Sequence, residues 1–86
     1  MKRKTVYVVK WEDACKDARW KYTADINQFH GQPQLCYSVG IIVRRSKSAI
    51  TLATTLADNK YEEYGGFERI PIGCIKSIRK LGRIPK

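Results

Sequence analysis

The chain has one histidine, His30, three cysteines with no C-x-x-C pair, and no long apolar run near its start. Each scarcity excludes something. Val6-Tyr7-Val8-Val9 is ended by Lys10, too short for a secretory core or a membrane-spanning helix. The expectation is therefore no membrane partner and a cytoplasmic location. Cys15, Cys36 and Cys74 are odd in number and irregularly spaced, so no disulfide framework is expected, and reduced thiols suit a cytosol. Together with His30 they lack the spacing of a zinc site. A Cys–His nucleophile pair needs proximity and an orienting third group, which a lone histidine does not signal. Gly65-Gly66 is too short to cradle a phosphate, and there is no P-loop or dinucleotide fingerprint. The expectation is a non-enzyme with no cofactor and no metal.

Positive charge is abundant, and it is unevenly placed. Of 17 Lys and Arg, Lys2, Arg3 and Lys4 form one acid-free arm, and Lys76, Arg79, Lys80, Arg83 and Lys86 form another. Between them the chain is close to neutral, so nearly all of the formal charge of +9 belongs to the ends. Folding does not need that, because self-repulsion opposes compaction. It fits a small domain that meets an anionic partner. At 86 residues the chain makes a single domain. A domain of this size buries roughly 60–65% of its unfolded surface, so its core is marginal and assembly with further copies would help.

The pattern reads mainly as strands. Thr5–Asp13 is rich in β-branched and aromatic residues. In Leu35–Arg45 the odd positions Leu35, Tyr37, Val39, Ile41 and Val43 are all apolar, which places them on one face. Arg45-Ser46-Lys47-Ser48 reads as a polar hairpin. Ala49 to about Leu56 follows, with Ile50, Leu52 and Leu56 inward and Thr51 and Thr55 outward. Gly65-Gly66 opens a short strand, Phe67–Ile70, and Pro71-Ile72-Gly73-Cys74 suggests a single 3₁₀ turn. Ile75–Leu81 is ambiguous between strand and helix. Within the excursion Ala14–Gln34, Thr23 is placed to cap a helical segment from Ala24 to about His30, stopped by Gly31. The order predicts an all-β domain: a small five-stranded SH3-like or Sm-like barrel with one short helix after the first strand. First and last strands are neighbours in such a barrel, which would bring the two basic arms onto one surface.

The candidate phosphate contacts are therefore Lys2, Arg3, Lys4, Lys76, Arg79, Lys80 and Arg83 on the arms, with Arg44, Arg45 and Lys47 at the hairpin. Arg19 and Lys21 flank Trp20 in the excursion. Trp20 and Tyr22 there, and Tyr61 and Tyr64 beside the glycine pair, are candidate rings for stacking a base, a contact worth about 1–3 kcal/mol per base. Val6, Val8 and Ile42 on outward faces predict a homo-oligomer held partly by strand edges.

Val8-Val9-Lys10-Trp11-Glu12-Asp13-Ala14, Ser38-Val39-Gly40, Ile50-Thr51-Leu52-Ala53 and Ile70-Pro71-Ile72-Gly73-Cys74-Ile75 with Ile78 resemble a small family of phage and bacterial proteins. A Sm-like ring-former attributed to a cyanophage belongs to it. The resemblance spans most of residues 6–81 and implies a Sm-like barrel, phage origin, host-cytoplasm location and homo-oligomerisation. It brings no ligand pocket. Sm RNA-binding proteins have a helix before their first strand and a basic residue before the glycine of their second motif, whereas Ile72 precedes Gly73 here. The functional expectation is an oligomer that binds nucleic acid, RNA favoured, through phosphate contacts. Phage proteins of this size also include antagonists of host defence, which leaves two alternatives: a sponge for a small or cyclic nucleotide, and a protein-binding inhibitor of a host factor.

Overall fold

A computed structural model describes residues 4–13, 22, 23, 26, 30, 31 and 34–84. Five strands run β1 (Thr5–Asp13), β2 (Gln34–Arg45), β3 (Ala49–Leu56), β4 (Tyr64–Pro71) and β5 (Ile75–Arg83), with a 3₁₀ turn at Ile72–Cys74 between the last two. They form one sheet in the order β4-β3-β2-β1-β5, every neighbouring pair antiparallel. The ambiguous last segment is a strand, because it has a ladder to join: Val9 sits opposite Ile78 and Thr5 opposite Arg83. β4 also starts earlier than expected, taking Gly65 and Gly66 into the strand. Gly66 has φ +67, and a Cβ there would collide with Thr54 Oγ1. That position needs glycine.

The core is Val9, Ile50, Leu52 and Ile70, with Trp11, Ile42, Ile72, Ile75 and Ile78 packed around it. Full burial of each such side chain contributes roughly 1.5–3 kcal/mol. Trp11 is tied down by its indole N–H, which donates to Ser38 Oγ at 2.9 Å. Ile42 faces this core, so its expected outward placement is corrected. The inward positions Ile50 and Leu52 are fully buried as their alternation requires.

The sheet is not closed into a barrel, which corrects the expected architecture. Among the described residues β4 pairs with β3 alone and β5 with β1 alone, which leaves both as open edges there. The connection explains this. Pro71 has no N–H to give a ladder, and the 3₁₀ turn then carries the chain to Ile75 opposite Trp11. β5 spends its hydrogen bonds on β1. Register shifts between Val6 and Tyr7, between Lys10 and Trp11, and between Ile42 and Arg44 bend the sheet without closing it. At Gly40 the β2 backbone passes so close to β3 that an added Cβ would lie 2.5 Å from Ala53 O.

The expected helix is corrected in extent: no helix of seven residues or more is found among the described residues, although Thr23, Ile26 and His30 are each helical. Most of the proposed Ala24–His30 segment lies outside the described residues. Within the described part, the Ile26 N–H donates to Tyr22 O at 3.1 Å, a helical hydrogen bond beginning one residue before the expected Thr23 cap. No helix among the described residues is long and apolar enough to cross a membrane.

Candidate nucleic-acid interface

β1 and β5 pair from Thr5 opposite Arg83 to Trp11 opposite Ile75, and the Ile84 N–H extends the ladder by donating to Lys4 O at 2.9 Å. The described parts of the two basic arms therefore meet. Their charges do not all remain available, and they do not share one face. Lys4 Nζ lies 3.4 Å from Glu62 Oε2, and Lys76 Nζ lies 3.1 Å from Glu12 Oε2. A hydrogen bond with Tyr64 is the main cause that pushes the Lys4 pKa up; partial desolvation opposes it and the Glu62 carboxylate adds to it. On β5, Arg79 sits opposite Val8 and Lys80 opposite Tyr7, so their side chains leave the sheet on opposite sides. The register shift at Leu81 then returns Arg83, opposite Thr5, to the side of Lys80.

Cross-strand partners share a face of the sheet. On the side away from the core, one row is Arg79, Val8 and Val39, and the next is Ser77, Lys10 and Tyr37. Leu35 follows opposite Glu12. Leu35, Tyr37 and Val39 are thus exposed, although the apolar alternation of β2 continues into buried Ile41. Bending at Gly40 allows this: the upper half of β2 flanks β1 and the lower half flanks β3.

A groove of about 560 Å³ runs over these rows, lined by Val8, Lys10, Tyr37, Ser77, Arg79 and Leu81. Lys10 Nζ stands 5.9 Å from the Tyr37 ring centroid. The ring remains 67% exposed, so it has area left for a second stacking partner. No carboxylate among the described residues lines the groove, and the nearest along β1, Glu12, is paired with Lys76. Two cations, Lys10 and Arg79, are left facing solvent around an aromatic ring. Sequence inspection missed Lys10 and Tyr37. The available signal was the alternation of Val6, Val8 and Lys10, which puts a charge on a face that a closed core would not admit.

The remaining expected site residues are dispersed. Arg45 and Lys47 are exposed on a hairpin held by Ser46, whose Oγ accepts from the Ser48 and Ala49 N–H groups at 3.2 Å each. Arg44 Nη1 donates to Val43 O at 2.9 Å. Tyr61 is exposed with Lys60 Nζ 5.0 Å from its ring centroid. Tyr64 is half-buried and engaged by Lys4. Tyr22 is 85% exposed. Lys2, Arg3, Arg19, Trp20, Lys21 and Lys86 lie outside the described residues, as does Cys15; Cys36 and Cys74 are half-buried.

No protein-family model, curated protein or solved structure matches the chain.

Proposed function

We propose that this protein binds single-stranded nucleic acid, RNA in the first instance, across the outer face of β5, β1 and β2. The observation that supports this most is the groove that sets Lys10 and Arg79 around the exposed Tyr37 ring, with no carboxylate among the described residues of its lining. Cations there neutralise successive phosphates, and the ring stacks a base of any identity, the combination that single-strand binders use. Leu81 and Val8 complete an apolar floor against which a sugar or base edge can lie. Arg83, Lys80 and the hairpin cations add a surrounding positive field that speeds encounter with a polyanion.

Self-association belongs to the same proposal. Among the described residues the packed core cluster is small, Val9, Ile50, Leu52 and Ile70, and both edges of the sheet are unpaired. Each edge offers backbone donors and acceptors to another copy. Copies joined in this way would repeat the groove and multiply weak contacts along one strand.

The test is fluorescence anisotropy with a labelled single-stranded RNA over a range of salt. The expected result is affinity that falls steeply with salt and is weakened by Lys10→Gln and Arg79→Gln together. Binding that ignores both salt and the double substitution would remove the proposal.

A further inference from the structure

A second groove, of about 600 Å³, lies at the start of β1 and over the β2-β3-β4 part of the sheet. Ile41, Val43 and Phe67 form its apolar side, and Lys4, Arg44 and Glu62 its charged side. Ile41, Ala53 and Phe67 make one row across three strands. Ile41 continues the alternation of Tyr37 and Val39, so this groove opens on the same outer face as the first. Phe67 is 62% exposed, which leaves a large ring presented to solvent inside a concavity.

The charged side is an ion pair with one further observation beside it. Lys4 Nζ and Glu62 Oε2 are 3.4 Å apart, so an ammonium donor and two carboxylate acceptors stand next to one another. Glu62 also has φ 51, in the left-handed region that disfavours residues with a side chain. The loop holds it there: the Glu62 N–H donates to Asn59 O at 3.3 Å, and Asn59 Oδ1 accepts from the Tyr61 N–H at 2.9 Å. Backbone strain of this kind collects where a side chain must be aimed.

We propose that this groove takes a guanine nucleotide, its base stacked on Phe67, its Watson–Crick edge read by Lys4 and Glu62, and its phosphate held by Arg44. The edge chemistry selects the base. Guanine offers an acceptor, O6, beside two donors, N1–H and the N2 amino group, and Lys4 with Glu62 offers a donor beside two acceptors. Adenine and cytosine would turn an amino donor toward the ammonium. Uracil would satisfy two positions and set its O2 against the second carboxylate oxygen. Arg44 spends one N–H on Val43 O and keeps the rest of its guanidinium for phosphate. The site lies apart from Lys10, Tyr37 and Arg79, so it does not depend on the first groove. It adds base selectivity to the nucleic-acid reading, and it accepts a base that is free or within a strand.

The experiment uses the full chain and two sets of probes. Free GMP and AMP are titrated by calorimetry, and uridine-rich oligomers carrying a single central guanine or adenine are titrated by anisotropy. The expected result is a preference for guanine of about tenfold or more in at least one set, in line with a two-point edge contact. Preference in the first set assigns a free nucleotide, and preference confined to the second assigns a base in a strand. Glu62→Gln, which replaces one acceptor by a donor at constant size, should erase the preference, and Phe67→Ala should weaken both bases together. The Lys10→Gln, Arg79→Gln double variant should lose salt-dependent RNA affinity and keep the guanine preference, so failure of one groove is separable from failure of the other. Thermal melts of each variant verify that the fold persists. Equal affinity for guanine and adenine in both sets, or a preference that survives Glu62→Gln, overturns the assignment.

Discussion

Lys10 and Tyr37 face each other across the β1–β2 ladder, the ammonium 5.9 Å from the ring centroid. Neither belongs to the core, and both stand beside Arg79 on the outer face. The pairing holds the ammonium over an aromatic surface, a cation–π contact worth about 0.5–1 kcal/mol at an exposed site. It positions a charge and a ring together without burying either.

Lys10→Gln and Arg79→Gln should each flatten the dependence of log affinity on log salt by roughly 0.7–0.9 of a unit, the value of one lost phosphate contact. Stability should hardly move, because exposed charges contribute little. Anisotropy at several salt concentrations measures the slope, and urea melts measure the fold. An unchanged slope in the double variant means that no phosphate lies there.

Tyr37→Ala acts on a different quantity. Loss of one stacking platform should weaken RNA binding by about 1–3 kcal/mol while leaving the salt slope alone. Tyr37→Phe should retain nearly all of the affinity, since the ring and not the hydroxyl is the platform. A Tyr37→Phe variant as weak as Tyr37→Ala would contradict stacking.

Gly40→Ala tests the bend on which the exposed face depends. The new Cβ would sit 2.5 Å from Ala53 O, a backbone atom that cannot rotate away. Overpacking of this kind costs typically about 1–3 kcal/mol. A urea midpoint equal to that of the unmodified chain would show that β2 and β3 separate easily at this point.

The open edges give a prediction about assembly. Sedimentation at micromolar concentration and ordinary salt should find species larger than the 9.9 kDa monomer. The edges of β4 and β5, unpaired among the described residues, and the small core cluster both favour it. A monomer under those conditions would refute it.

Much of the fold was legible in the sequence, and for local reasons. Thr5–Asp13 and Ala49–Leu56 declare themselves by β-branched content and by the polar breaks beside them, and the 3₁₀ turn by Pro71 and Gly73. Closure was not legible. It depends on accumulated curvature from register shifts at places such as Leu81, which only the neighbouring Gly82 hints at, and Lys76, which is flanked by Ile75 and Ser77 and carries no such mark. The candidate site failed in the same way. Charge counting finds Lys4 and Lys76, but their carboxylate partners are known only once strands and loops are placed, and Glu62 lies 58 residues from Lys4. Tyr37 was hidden inside an apolar alternation in which Ile41 is buried and Leu35, Tyr37 and Val39 face solvent. Alternation identifies which residues share a face; it does not say what covers that face.

Glu62→Gly should separate strain from function at the second groove. A left-handed conformation costs a residue with a side chain roughly 1–2 kcal/mol, and glycine removes that cost. Against this, glycine is freer in the unfolded chain, a loss of roughly 0.5–1 kcal/mol. The ion pair with Lys4 is also lost, and between partly exposed partners in solvent such a pair contributes little. The net expectation is a stability within about 1 kcal/mol of the unmodified chain, while Glu62→Gln, which keeps the strain and loses the charge, should be the less stable of the two. Because the folded-state pKa of Lys4 is raised, its contribution is fully present below the ordinary value of 10.5 and is lost only as pH rises through the folded value. Urea melts at neutral pH therefore contain it whole in the unmodified chain. If Glu62→Gly is clearly less stable than Glu62→Gln, the side chain at position 62 is there to hold the loop, and the left-handed backbone has no need of a ligand to account for it.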